Sequence, residues 1–382
     1  MKTVRFCSLL ILFVILVTGC IESYPPPIIN DEVNFLVIDG SVNTEDGSAL
    51  VKLSHAIPLS SNEPFPPELN ATVRLEDNDG NMYSLIETFG GNYEQSNLTL
   101  NDSKEYRLYV RTSNNTEYLS DFITIKQTPP IDSVNWAPSR TLEGIDIFVN
   151  THDDSKNTRY YQWTFEETFQ YEAPYYTFLK HQNGDIIPIP NAEQTFTCWR
   201  TLPSQKILIG SSEKLSQDII YNFPLTFIPK GSQKAIIKYS ILVKQKALTR
   251  EAYDYWLNLQ KTTENLGGLF DPQPGQVTGN IHNITNPNAP ALGYFDVGAA
   301  QETRFFVDAN DLPEDLRTYK SLGFCIKDTV LVADLSGLTS TDIIVDALYG
   351  NSTAPYGYTY SNSSCTDCRN QGGVSIKPSF WE

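Results

Sequence analysis

The sequence predicts a mainly β protein in two parts: a β-sandwich over residues 31–128 and a larger β-rich domain, 129–382, carrying at least one α-helix. Three observations predict it. Period-two alternation broken by turn residues runs from Val33 to Ile125. Thr128-Pro129-Pro130 punctuates the chain, since proline cannot donate into a ladder. Beyond it the strand signals resume, interrupted by one stretch with helix-start chemistry at Thr249. The 382 residues are 40% hydrophobic and 12% aromatic, the composition of a chain that buries a core and not of a disordered one.

Residues 1–19 read as a signal peptide. Lys2 and Arg5 precede an apolar run, Leu9 to Val17, too short to span a bilayer, which takes about 20 residues. Val17-Thr18-Gly19-Cys20 looks like the lipobox of bacterial lipoproteins, so Cys20 is expected to become the lipid-bearing first residue. Several fatty acyl chains of the palmitate kind anchor stably where one would not. Residues 20–30, with Pro25-Pro26-Pro27, read as an extended tether. Loss of Lys2 and Arg5 leaves 26 Lys+Arg against 45 Asp+Glu, a net charge of -19. Such a surface repels phosphate backbones, and no nucleic-acid partner is expected.

Within the first domain Phe35-Leu36-Val37-Ile38, Leu50 to Leu53, Ala71 to Leu75, Tyr83 to Ile86, Tyr106 to Val110 and Tyr118 to Ile125 read as strands by their β-branched and aromatic content. Asp77-Asn78-Asp79-Gly80-Asn81 and Gly90-Gly91-Asn92 supply turns. The stretch Ala71 to Tyr109 resembles the immunoglobulin-like or transthyretin-like sandwich modules of bacterial surface proteins. In the second domain Ile145 to Val149, Tyr160 to Phe165 and Ala235 to Lys244 read as strands. The helix is expected near 249–262: Thr249 caps it, Glu251 falls in the first turn, and Ala252, Tyr253, Trp256, Leu257 and Gln260 recur at helical spacing.

Four cysteines remain besides Cys7 of the signal and Cys20. An even number in an exported chain predicts two disulfides among Cys198, Cys325, Cys365 and Cys368, with Cys365 and Cys368 each reaching back to staple the tail. Cys365-x-x-Cys368 lies in a Ser/Asn/Gly-rich segment and has no second cysteine pair to complete a zinc tetrahedron. No metal or other cofactor is expected.

The oxygen donors of Asp77 to Asn81 invite a calcium reading, but the glycine is off EF-hand spacing and a hairpin turn explains the same residues. His152-Asp153-Asp154 reads as loop chemistry. There is no Gly-x-Ser-x-Gly elbow, and His55, His181 and His282 have no sequence companions. No catalytic residue is assigned and a non-enzymatic role is expected, with a hydrolase built on paired carboxylates as the alternative. The segment Leu269-Phe270-Asp271-Pro272-Gln273-Pro274, flanked by glycines, is the candidate loop for a partner or ligand. The aromatic runs Tyr171 to Phe178 and Tyr349 to Tyr360 offer either core or an adhesive surface.

An ordered set of passages carries a family resemblance. It comprises Tyr160-Tyr161-Gln162-Trp163-Thr164-Phe165-Glu166-Glu167-Thr168, Cys198-Trp199, Tyr239 to Gln245, Glu251-Ala252-Tyr253-Asp254-Tyr255-Trp256, Leu269 to Pro274, Gly279-Asn280-Ile281, Leu292-Gly293-Tyr294-Phe295 and the ending Cys365 to Trp381. Together they resemble the outer-membrane lipoproteins of Bacteroidota catalogued as domain of unknown function 4249. The resemblance implies a protein anchored in the outer membrane, with the cell-surface face expected over the periplasmic one, that accompanies a TonB-dependent receptor in nutrient uptake. It implies no catalytic residue. An adhesin or envelope scaffold is the further alternative.

Overall fold

The computed structural model describes residues 35–58, 61–182, 185–264, 277–317 and 325–381. The signal peptide, Cys20, the tether and the candidate loop Leu269 to Pro274 lie outside the described residues.

The chain is mainly β, as the alternation predicts. Its first strands are β1 (Leu36–Asn43), β2 (Ser48–His55), β3 (Thr72–Asp77), β4 (Met82–Glu87), β5 (Asn92–Gln95), β6 (Glu105–Arg111), β7 (Glu117–Ser120) and β8 (Ile123–Thr124). In β1 the residues Leu36, Ile38, Gly40 and Val42 are buried while their neighbours face outward, the period of a half-covered strand. β4 turns the corner. Its first half pairs with β3, Val73 opposite Leu85, and its second half with β5, Glu87 opposite Tyr93. A strand that changes partners in this way folds one sheet over itself, and Ile38, Val51, Leu75, Tyr106 and Leu108 meet in a single core between the two faces.

The second stretch supplies β9 (Ile131–Pro138), β10 (Gly144–His152), β11 (Tyr160–Glu172), β12 (Leu179–Gln182), β13 (Asp185–Pro188), β14 (Thr197–Pro203), β15 (Leu208–Ser211), β16 (Ile219–Pro229) and β17 (Lys238–Leu248). Helix α1 (Arg250–Thr263) follows, then β18 (Ile281–Asn283), β19 (Leu292–Gly298), β20 (Ala300–Asp308), β21 (Asp328–Leu331), β22 (Asp342–Tyr349) and β23 (Pro355–Asn362). β14-β11-β17-β20, with β15 also on β11, forms one sheet, and β16-β10-β9 faces it. Between them lie Ile147, Val149, Trp163, Tyr239, Ile241 and Val243. Gln245 is buried here without cost because every polar atom has a partner: Oε1 accepts from Trp163 Nε1 at 2.8 Å, and Nε2 donates to Pro129 O at 2.8 Å and Thr151 Oγ1 at 3.0 Å.

The contiguous division at residue 128 does not describe the packing. β19 pairs in parallel with β1, Val37 opposite Leu292 through Asn43 opposite Gly298, and β18 pairs with β7. Ile281, Phe295 and Val297 belong to the first core. The first unit is therefore built from 35–128 and again from 280–298. The reason is local: Gly293 has φ +113 and a Cβ there would stand 1.9 Å from Ile38 O, while one on Gly279 would stand 1.6 Å from Gly293 O. Only glycine permits both approaches. Thr128, expected as punctuation, is a buried junction whose Oγ1 donates to Ala299 O at 2.5 Å and accepts from Ala247 N at 2.9 Å.

A third, small sheet, β21-β23-β22, buries Val330, Ile344 and Tyr358 against the β12-β13 hairpin. Two disulfides fasten this end of the chain. Cys325 bonds Cys365, and Cys198 on β14 bonds Cys368. Behind the second, Trp199 and Val374 exchange two backbone hydrogen bonds at 2.9 Å, and Trp381 packs edge-on against Trp199 and Phe306. The aromatic runs divide: Tyr171 is buried with its hydroxyl donating to Cys368 O at 2.8 Å, whereas Tyr176, Phe178, Tyr349 and Tyr356 are exposed.

Candidate functional site

An open site lies where the two sandwiches meet. Alternation along β11 and β17 sends Trp163, Val243 and Gln245 into the core and leaves Gln162, Thr164, Lys244 and Lys246 outside. Gln162 stands opposite Lys246 and Thr164 opposite Lys244, so these four make a polar floor. The facing wall comes from the first unit. Asp39 and Ser41 share a face of β1 with Tyr294 and Asp296 of β19, because Asp39 pairs with Tyr294 and Ser41 with Asp296. Trp256 of α1 closes one side, and the cleft measures about 330 Å³. That is the lower end of small-molecule sites.

Helix α1 is placed by its cap and its aromatic stripe. Thr249 Oγ1 accepts from Ala252 N at 3.1 Å, the N-cap arrangement the sequence predicts. Tyr253 then meets Tyr160 with ring centroids 4.9 Å apart, and Tyr255 meets Tyr294 at 4.9 Å. Burial, with Asp39 nearby, pushes the Tyr255 phenol up to about 12. Burial together with Asp296 likewise raises Tyr294. Both phenols therefore stay neutral at physiological pH. Lys246 Nζ lies 3.7 Å from Asp296 across the cleft, Lys244 Nζ lies 2.9 Å from Glu302 on the next strand of its own sheet, and Asp39 adds a second carboxylate to the wall. Carboxylates and ammonium groups in equal number beside the half-buried Trp256 indole suit a polar, uncharged or zwitterionic ligand that can exchange hydrogen bonds and stack.

A second buried cluster is spent on structure. Glu167 accepts from the Tyr239 hydroxyl at 2.8 Å and is ion-paired to Lys234. Both its oxygens are occupied, so a substrate would find no free base there.

The other residues singled out in the sequence take separate places. Asp77 organises its hairpin: Oδ1 accepts from Asp79 N and Asn81 N, and Oδ2 from Asn81 Nδ2 and Lys104 Nζ. Its oxygens serve the turn, and no cation-holding cluster occurs among the described residues. Asp153 likewise caps its loop through Ser155, Asn157 and Thr158. His152 lies 2.8 Å from Asp132, which raises its imidazole, and His282 lies 2.9 Å from Asp121, both on the surface. His55 is engaged by Glu68, and His181 sits on β12. Of the cleft residues, Gln162, Thr164, Lys244, Trp256 and Tyr294 fall within the family-like passages, though none was singled out as a site, whereas Asp39, Ser41, Lys246 and Asp296 escaped the sequence reading. Gln162, Lys244 and Lys246 look like ordinary outward positions of strands until a neighbour covers them.

No match is found among curated proteins. Among solved structures the chain is similar to the adhesin InvE of Yersinia pseudotuberculosis, at 11% identity over 86% of this chain and 75% of that one, with a TM-score of 0.15 that carries no argument. The family model of a domain of unknown function, DUF4249, matches residues 21–304, which spans both sandwiches up to β20 and leaves the stapled tail outside. That range takes in β1, α1 and β19, every element that walls the cleft, and on it the chain belongs to the DUF4249 family.

Proposed function

We propose that the chain is a lipoprotein held in the outer membrane through Cys20 and facing the cell surface, which binds without catalysis and serves as accessory to a TonB-dependent receptor in nutrient uptake. The observation that carries the reading is the cleft between the two sandwiches. Its walls come from strands far apart in sequence, its charges are balanced, and Trp256 offers a ring to a polar ligand. Such a site holds a nutrient briefly for transfer. The reading is further supported by the lipobox and by disulfides, which belong to an oxidising compartment. Purification of the native protein from detergent-solubilised outer membrane tests it: co-recovery of a receptor barrel is expected, and recovery with no barrel overturns it.

One feature favours a second reading, a surface hydrolase of glycan or peptide. Asp39 and Asp296 put two carboxylates on one wall of the cleft, and paired carboxylates are what glycoside cleavage needs. Turnover that disappears in both Asp39→Asn and Asp296→Asn would decide for it.

A further inference from the structure

We infer that the end of the first sandwich from which the tether leaves is a membrane-contacting surface, whose apolar loop tips enter the lipid interface beside the anchor. The inference rests on the lipid-anchor reading above. The polarity of the sandwich follows from its pairings. Leu36 opens β1 opposite His55, the last residue of β2, and Phe35 O accepts from Ala56 N at 2.9 Å. Glu87, Thr72, Arg111, Glu117 and Asn283 lie at the same end, because β3 to β7 and β18 run in alternating directions. The second sandwich joins at the other end, where Ala299 follows β19 and Asn43 Oδ1 accepts from Ala300 N.

At the tether end four large apolar side chains project from three separate connections: Phe65 (66% exposed), Leu69 (42%), Phe89 (86%) and Ile284 (45%). Leaving several such groups in water at one end is unfavourable unless something apolar meets them. The opposite end carries Met82 (59% exposed) at the start of β4 and Phe122 (41%), the latter beneath the Arg107 guanidinium, 4.7 Å from its ring centroid.

The tips are held and do not merely dangle. Glu68 is a buried hub whose carboxylate meets His55 Nε2 at 2.7 Å and accepts from Ser113 N and Oγ at 2.8 Å, and whose carbonyl accepts from the Tyr93 hydroxyl at 3.1 Å. His55 N donates to Pro66 O and Leu53 N to Gly91 O, each at 2.8 Å, which fixes the residues beside Phe65 and Phe89. Pre-ordered apolar tips lose little entropy on entering a bilayer. The partner is a lipid surface because of reach: the 14 residues between Cys20 and Phe35 span at most about 50 Å when fully extended, and any slack lets this end settle on the bilayer that holds the acyl chains.

The test uses the full mature chain, acylated and reconstituted in phosphatidylcholine vesicles, with a nitroxide on Phe89→Cys and, separately, on Asn78→Cys in the hairpin at the far end. Mass spectrometry first establishes acylation of Cys20. The label at 89 is expected to be accessible to oxygen and shielded from an aqueous nickel complex, and the label at 78 the reverse. An acylated chain whose label at 89 is as open to nickel as that at 78 overturns the membrane contact and leaves the anchor reading standing; an unacylated chain overturns both. As a second measurement, Phe65→Asp with Phe89→Asp in the Cys20→Ala chain is expected to lower vesicle partitioning on the order of tenfold, and unchanged partitioning overturns the inference.

Discussion

Asn280 grips Phe295 by the backbone from both sides: Nδ2 donates to Phe295 O at 2.9 Å and Oδ1 accepts from Phe295 N at 2.9 Å. With this one side chain the chain, having built its second sandwich, is pinned back into the first.

Asn280→Ala strips two buried backbone groups of their partners. Each unsatisfied group costs about 1–3 kcal/mol, so a loss of about 2–6 kcal/mol is expected in urea unfolding. Asn280→Asp keeps an acceptor for Phe295 N and should lose less.

Cys198 and Cys368 are 170 residues apart in sequence, and both are fully buried. Closing so long a loop restricts the unfolded chain strongly. Replacing both with alanine is expected to cost about 2–5 kcal/mol, read as a lowered midpoint in thermal or denaturant unfolding. Limited proteolysis should then release the tail that carries Val374 and Trp381 before the strands are cut.

Stability should fall at both extremes of pH. Burial raises the phenols of Tyr161, Tyr239 and Tyr294, helped by Asp218, Glu167 and Asp296 respectively. Unfolded tyrosines ionise near 10, so above that pH the unfolded state binds fewer protons than the folded one and the protein loses stability. On the acid side, burial alone would raise Glu68, but its bonds to His55 and Ser113 outweigh it and hold the carboxyl below 4.5. Asp77 is held down in the same way by Asn81 and Lys104 against its own burial. Their contribution is present above about pH 4.5 and is lost as the pH falls through their folded values. Denaturant midpoints measured from pH 3 to pH 11 should therefore trace a dome, and a midpoint still rising above about pH 10 contradicts the assignment.

Trp256 has its indole partly exposed on the cleft and is not part of the fully buried core. Trp256→Ala is expected to leave the fold standing and to weaken a stacked ligand about tenfold or more, the size of a lost aromatic contact of about 1.4 kcal/mol or above. Titration of the wild type and the variant with ligands found by glycan or peptide array checks this. Equal affinities would place the ligand elsewhere.

The strands were legible wherever one face met water and the other the core. β1, β3 and β6 lie where alternation puts them, and Thr249 starts its helix by the capping chemistry its side chain announces. β9 was harder, since it begins directly after Pro129-Pro130 and its residues Asp132, Ser133 and Asn135 are polar. It forms because β10 supplies a partner along its whole length. The passages that carry the family resemblance turn out to be joints: Gly279-Asn280 and Gly293 close the first sheet, and Cys198 holds the tail.

Residue type and spacing alone determined that this chain is β-rich, that four cysteines can pair, and that a helix begins at Thr249. Those properties depend on groups within a few positions of one another. Which strand lies beside β1, and hence that Asp296 faces Lys246 across a cleft, was decided only on folding. A parallel pairing joins residues about 255 apart, and such a partner is chosen by the fit of whole surfaces, with Gly293 against Ile38 and Phe295 in a shared core, which no short stretch of sequence encodes.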